Sequence, residues 1–242
     1  MRRSNGHYFV FVLFASLLPI GCSSDDNESE GKLTLTSPSV QEAKPLPDQF
    51  TCEGKAFGDG TSPELNWSEG PSGTKSYAIL LKDLTIEAGQ STGDMNPEHP
   101  FHWTIWNIPA STHTLSASLS TEQSPLTGVQ QQNGAPPFIT PGTFGYFGPC
   151  PNLGAAGMGL PAENHNYEFK LYAFSDATLA PPAYDPGSDA ANPLNPVRQL
   201  ATFFESRTTL LGTAELKFTS DATPSTCPGF PNPPFACAPA SP

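Results

Sequence analysis

A mainly β, antiparallel fold is what this sequence predicts, on three observations. Apolar or alternating runs recur along the chain: "SYAILLKD", "FHWTIWNIP", "NYEFKLYAF" and "GTAELKFTS". Between them lie loops rich in glycine and proline, residues that interrupt regular structure and favour turns. The best helix candidate is "NPVRQLATFFESR", close to the end of this pattern. Strands separated by such loops are the pattern of a β domain rather than of alternating β and α units.

The elements follow in chain order. "KLTLTS" is a short alternating strand. In "SYAILLKD" the period of two places Tyr77, Ile79, Leu81 and Asp83 on one face, with Ala78, Leu80 and Lys82 on the other. Asp83 thus closes an otherwise apolar row. "HPFHWTIWNIP" reads as a strand buried on both faces, with His102 at its entrance and His99 just upstream. Gln123 to Gly142 is polar, carries Gln130-Gln131-Gln132, and is expected to be a long surface loop. "NYEFKLYAF" turns Tyr167, Phe169 and Leu171 inward and Glu168 and Lys170 outward. For the helix, Asn195 is the expected cap and Pro196 the first helical residue. Leu200, Phe203 and Phe204 form a stripe that packs on the sheet. "GTAELKFTS" supplies a last alternating strand.

The ends read differently from the middle. Arg2 and Arg3 precede an apolar run from Tyr8 to Ile20, followed by Gly21, Cys22 and Ser23. That is the layout of a secretory signal over residues 1–21, too short to span a bilayer comfortably. Cys22 at the cut resembles a lipobox cysteine, although Pro19 is unusual there; an ordinary cleaved signal with a stray cysteine is the other reading. Residues 22–32, with "SSDDNESEG", are polar and acidic and form a flexible tether. Residues 33–220 make one domain, and 221–242 a proline-rich tail that cannot be an interior strand.

The formal net charge is −12, and loss of the leader with its two arginines makes it more negative. That argues against nucleic acid, whose binders carry basic patches. Apart from Cys22 there remain Cys52, Cys150, Cys227 and Cys237, an even set that reads as two disulfides with three possible connectivities. No C-x2-C pair suggests a structural metal. No Ser-His-Asp order, HExxH or phosphate-loop signature is present, and "GAAGMG" does not follow a dinucleotide pattern. No cofactor is expected.

Four polar residues stand beside apolar strands: Asp83, His102, His165 and Tyr167. His165 and Tyr167 are two apart and share a side if the strand begins that early. The glycine-proline loop "GYFGPCPNLG" brings backbone N–H groups close to anything bound. Singly each residue is a weak signal. Together, "DGTSPELNWSEGPSGTKSYAILLKD", "FHWTIWNIP", "GYFGPCPN" and "HNYEFKLYAF" resemble, in order and spacing, the phosphatidylethanolamine-binding protein family, and in particular its bacterial members related to the Raf kinase inhibitor proteins.

That resemblance implies a large central antiparallel sheet packed against a smaller one, a helix near the C-terminus, and a small pocket for phosphate-type anions and phospholipid head groups. By motif position it places Asp83, His102, Gly148, Pro149, Pro151, His165 and Tyr167 in the pocket. "DLTIE" lacks the family's second acid and proline, Asn166 stands where arginine is usual, and residues 155–163 look inserted. Asp83 is expected either to orient a histidine or to meet an ammonium head group. The resemblance also sets Cys52 and Cys150 in loops around the pocket, which implies Cys52–Cys150 and Cys227–Cys237 pairs. The resulting expectation is an exported, non-catalytic lipoprotein that binds a phosphate-containing small molecule or lipid head group. It would sit in the cell envelope, with Ser23 favouring the outer membrane of a Gram-negative bacterium. The alternatives are an inhibitor of an unidentified partner enzyme, or a hydrolase that uses the His and Asp residues.

Overall fold

Eight strands and two helices carry the architecture among the described residues, which in this computed structural model are 32–51, 61–90, 100–134, 144–149, 164–184 and 195–221. The strands are β1 (Leu35–Thr36), β2 (Leu65–Trp67), β3 (Ser76–Asp83), β4 (Phe101–Pro109), β5 (Thr114–Leu115), β6 (Gln130–Asn133), β7 (Asn166–Phe174) and β8 (Leu210–Thr219). The helices are α1 (Leu84–Glu87) and α2 (Pro196–Glu205). Two sheets result, one of order β1-β2-β5 and one of order β6-β4-β3-β7-β8, with every strand pair antiparallel. The mainly β expectation, with a large and a small sheet, is met.

Strand β3 lies at the centre of the larger sheet and obeys the alternation read from its sequence. Tyr77, Ile79 and Leu81 pack toward the smaller sheet with Leu35, Trp67 and Leu115. Ala78 and Leu80 face the other way, against Val197, Leu200 and Phe204 of α2. Both faces of the large sheet are therefore covered, which is why its central strand is almost wholly apolar. Helix α2 begins as its sequence demands: Asn195 Oδ1 accepts from the amides of Val197 and Arg198, and Pro196 takes the first turn, where no amide is needed.

Two expectations need correction. Residues 130–133, read as part of a surface loop, form an edge strand paired with β4. Gln131 is buried there because its amide is satisfied from both ends: Oε1 accepts from the Trp103 indole at 3.0 Å, and Nε2 donates to the carbonyls of Ser120 and Glu122. Glu168, expected to face solvent, is also buried. It lies opposite Lys82 in the β3–β7 ladder and pairs with its ammonium at 3.3 Å. Polarity alone cannot report a charge that is buried with its partner.

The β3–β4 ladder carries two irregularities. At the first, Tyr77 pairs with Ile108 and Ile79 with Ile105, so β4 has an extra residue there. Asn107 takes the strain with φ of 61°, and its side-chain amide bonds both the N–H and the C=O of Leu179. At the second, Leu81 pairs with Trp103 and Lys82 with Phe101, which makes His102 the extra residue.

Candidate functional site

The ends of four strands meet at one edge of the large sheet: β3 ends at Asp83, β4 begins beside His102, β7 begins after His165, and β8 ends at Thr219. The β3–β7 ladder sets Asp83 directly opposite Tyr167. Its carboxylate caps α1, with Oδ1 accepting from Thr85 N at 2.8 Å and Ile86 N at 2.9 Å. The other oxygen, Oδ2, lies 2.6 Å from His165 Nδ1. An ionised carboxylate has acceptors only, so the Nδ1 proton points at Asp83 and Nε2 is the ring nitrogen this pair does not use. Both side chains are almost wholly buried, at 1% and 2% exposure. Asp83 Oδ2 thus faces a histidine ring nitrogen in this structure.

His165 is locked on its backbone as well. Its N–H donates to Ser220 Oγ, and its carbonyl accepts from Ser220 N, both at 2.9 Å. The next residue, Asn166, donates its amide to Thr85 Oγ1, which ties α1 to β7.

Tyr167 is the hub of an aromatic cluster. Its ring stacks on His165 at 6.2 Å and on Phe218 at 5.6 Å, and meets the edge of His102 at 5.6 Å. On its other side His102 stacks with Phe147 at 5.9 Å. The bulge makes this meeting possible. With strict alternation His102 would face away from Trp103; as the extra residue it joins Trp103 on the small-sheet side, while Phe101 packs with the α2 cluster. Gly134 serves the same bend, because its N–H donates to His102 O at 2.8 Å and a Cβ there would fall 1.8 Å from Phe101 O.

The loop 144–149 is fastened next to this cluster. Tyr146 Oη donates to Phe50 O at 2.9 Å, and burial pushes its phenol pKa far above the usual value. A Cβ on Gly148 would lie 2.4 Å from the same carbonyl, so only glycine allows the loop to approach so closely. Pro149 is buried beside it. Lys82, next to Asp83, points to the opposite face. Burial alone would lower its pKa, but hydrogen bonding to Glu87 and the charge of Glu168 outweigh that and hold it above the ordinary lysine value.

The structure thus brings together Asp83, His102, His165 and Tyr167, with Gly148 and Pro149 in the adjoining loop. Pro151, His99, the 155–163 stretch, Cys22 and the cysteines at 52, 150, 227 and 237 lie outside the described residues. Tyr167 and Asp83 are as buried as the core around them. Sequence reasoning missed Phe147 and Thr85, although Phe147 lies inside the loop motif itself. Among the described residues no three His, Cys, Asp or Glu side chains are grouped to hold a metal ion.

Two antiparallel sheets with a buried Asp–His pair and a second histidine around one tyrosine define a β scaffold with a polar, aromatic cluster at the edge of its larger sheet. The sequence model of the phosphatidylethanolamine-binding protein family matches residues 36–217, and the chain belongs to that family. A UPF0098 protein of Aquifex aeolicus is 30% identical over 150 residues, which is 62% of this chain and 72% of that protein. "Putative lipoprotein LppC" of Mycobacterium tuberculosis is also 30% identical over 150 residues, spanning 62% of this chain and 59% of LppC. The crystal structure of Escherichia coli YbcL, described as a new member of the mammalian PEBP family, shares the fold with a TM-score of 0.53 and 24% identity, over 78% of this chain and 98% of YbcL.

Proposed function

We propose that this chain is an exported lipoprotein that binds a phosphate-type anion or phospholipid head group, without catalysing a reaction on it. To its pocket we assign Asp83, His102, Gly148, Pro149, His165 and Tyr167, with Pro151 assigned by motif position alone. The observation that carries this reading is the 2.6 Å contact between Asp83 Oδ2 and His165 Nδ1. In the imidazolium form His165 is then an oriented donor: the carboxylate holds the Nδ1–H, and the Nε2–H is directed at an acceptor. His102 and the Tyr167 hydroxyl add donors of the same kind. A phosphate monoester, with nearly two negative charges near neutral pH, matches such a set. Asp83 would repel an anion, but both its oxygens are engaged, by His165 Nδ1 and by the Thr85 and Ile86 amides.

The relative named as a lipoprotein, and the cysteine that directly follows an apolar run, support export and anchoring through Cys22. Several acyl chains on one cysteine suffice for stable attachment. Titration calorimetry with inorganic phosphate, phosphoserine and phosphoethanolamine tests the binding. His102→Ala and His165→Ala are each expected to weaken affinity ten- to a hundredfold, as for hydrogen bonds to a charged group of about 1.5–3 kcal/mol. Wild-type affinity is expected to fall as pH rises through the histidine range. No binding of any probe by wild type, or turnover that His102→Ala abolishes, would overturn the reading. For the anchor, full-length protein should partition with membranes and Cys22→Ser should not.

A further inference from the structure

The chain enters the two sheets at the end farthest from the Asp83–His165 pair. Lys32 stands two residues before Thr34, whose N–H donates to Ser68 Oγ at 2.9 Å and whose carbonyl accepts from Ser68 N at 3.2 Å. The ladder continues with Leu35 opposite Trp67 and Thr36 opposite Asn66, so the chain moves away from Ser68 as it passes through β1. Strand β2 leads the other way, to Gly70, whose N–H donates to Tyr77 Oη at 2.9 Å. The Trp67 ring meets Tyr77 as well, at 5.7 Å. Tyr77 is the second residue of β3 and Asp83 the last. Lys32 therefore lies at the Tyr77 pole of the large sheet.

From there the chain travels beside β8 to the other pole. Ala43 N donates to Lys217 O and Leu46 N to Thr219 O, both at 2.8 Å. Phe50 follows, and its carbonyl accepts from Tyr146 Oη in the loop next to the His102 and Tyr167 rings. Six steps of β3 separate Tyr77 from Asp83, about 20 Å at the rise of an extended strand.

We infer that the anion pocket faces away from the bilayer that holds Cys22, and that its ligand is a water-soluble phosphate compound rather than a head group of the anchoring leaflet. This rests on the pocket and the Cys22 anchor proposed above. Ten steps of chain join Cys22 to Lys32, a reach of about 33–36 Å at full extension. With the Tyr77 pole toward the bilayer none of that reach is needed. With the pocket against the bilayer, Lys32 would be lifted by the length of β3. The connection would then be held at more than half of its full extension, at a cost in chain entropy that the first arrangement does not incur. A diacyl lipid, for its part, keeps its head group at the leaflet, because raising it to a distant pocket would expose its acyl chains to water. A soluble phosphate compound meets no such barrier.

The test uses the full-length lipidated chain on vesicles, with a fluorescent amino acid placed at exposed Glu69, near the Tyr77 pole, or at exposed Gln49, near the pocket. Energy transfer to acceptor lipids is expected to be at least twofold stronger from position 69. Equal or stronger transfer from position 49, or a chain that does not attach to the vesicles, would overturn the inference. In a second arm, phosphoserine affinity is compared between the Cys22→Ser chain in solution and the lipidated chain on vesicles of phosphatidylcholine, with and without phosphatidylethanolamine. The three values are expected to agree within twofold. Tenfold weaker binding on either vesicle would mean that head groups of the anchoring leaflet occupy the pocket, and would overturn it. Tighter binding of the Cys22→Ser chain to phosphatidylethanolamine vesicles than to phosphoserine would overturn the choice of a soluble ligand. If that chain binds neither probe, the anion reading itself fails, while the two transfer efficiencies still decide the orientation.

Discussion

Asp83 and His165 stand 82 positions apart in the chain and meet at 2.6 Å, with the carboxylate also capping α1. One side chain therefore joins three elements: β3, which carries it, α1, which it starts, and the segment that enters β7. Removing the carboxylate leaves the His165 Nδ1–H and the Thr85 and Ile86 amides without their acceptor, at a cost of about 1–3 kcal/mol for each buried donor left unpaired. Asp83→Ala is expected to lose stability in that range. Asp83→Asn, which keeps a capping oxygen, should lose less. Urea unfolding with an unchanged slope measures both. An alanine variant as stable as wild type would remove the capping and orienting role together.

Gly134 and Phe101 define a second test. A methyl group at 134 would sit 1.8 Å from the Phe101 carbonyl, where the His102 bulge begins. Backbone must move to admit it. Gly134→Ala is expected to destabilise the protein by about 1–3 kcal/mol, as overpacking does, and to shift the ring resonances of His102 and Tyr167. If those resonances stay in place, the bulge does not depend on this close approach.

The Gln131 amide predicts a contrast within one short strand. Gln131→Leu would strand the Trp103 indole N–H and the carbonyls of Ser120 and Glu122, each costing about 1–3 kcal/mol if left unpaired. Gln132→Leu, one residue on and facing the other side, should unfold near wild type. Thermal unfolding of the two variants side by side distinguishes a buried polar strut from a surface preference for glutamine. Equal midpoints would count against the strut.

Asp176 gives the pH-dependent case. Hydrogen bonds from Thr209 and from Arg207 hold its carboxyl below the usual value. A lowered native pKa means that the unfolded chain takes up the proton first as pH falls. Its contribution is therefore complete above the ordinary carboxylate range and is lost as pH drops through the lowered native value. Stability curves of wild type and Asp176→Asn should converge in strong acid and separate above it. A constant offset at all pH values would show that the carboxylate charge is not involved.

How much of this was legible beforehand differs from residue to residue. The row Tyr77, Ile79, Leu81, Asp83 was readable because β3 is regular up to its end, and a period of two needs no partner strand. Asn195 and Pro196 announced the start of α2 because capping is local chemistry. The meeting of His165 and Tyr167 with Asp83 was suggested by motif order, and the β3–β7 register accounts for it. Burial of Glu168 and Gln131 was not readable. Each depends on a partner supplied by another strand or loop, Lys82 in one case and Trp103 with Ser120 and Glu122 in the other.

By itself, then, the sequence determined the strands with clean alternation, the capped helix and the four polar residues worth watching, since all of these follow from near neighbours in the chain. Only the tertiary structure decided which way two of them work. His102 faces Tyr167 because β4 carries an extra residue opposite β3, and a bulge belongs to a pair of strands rather than to either one. Asp83 serves a histidine because α1 and the chain entering β7 bring three donors to its two oxygens at once. Side-chain type is written in one dimension; the direction of a hydrogen bond is settled by what folding places at its other end.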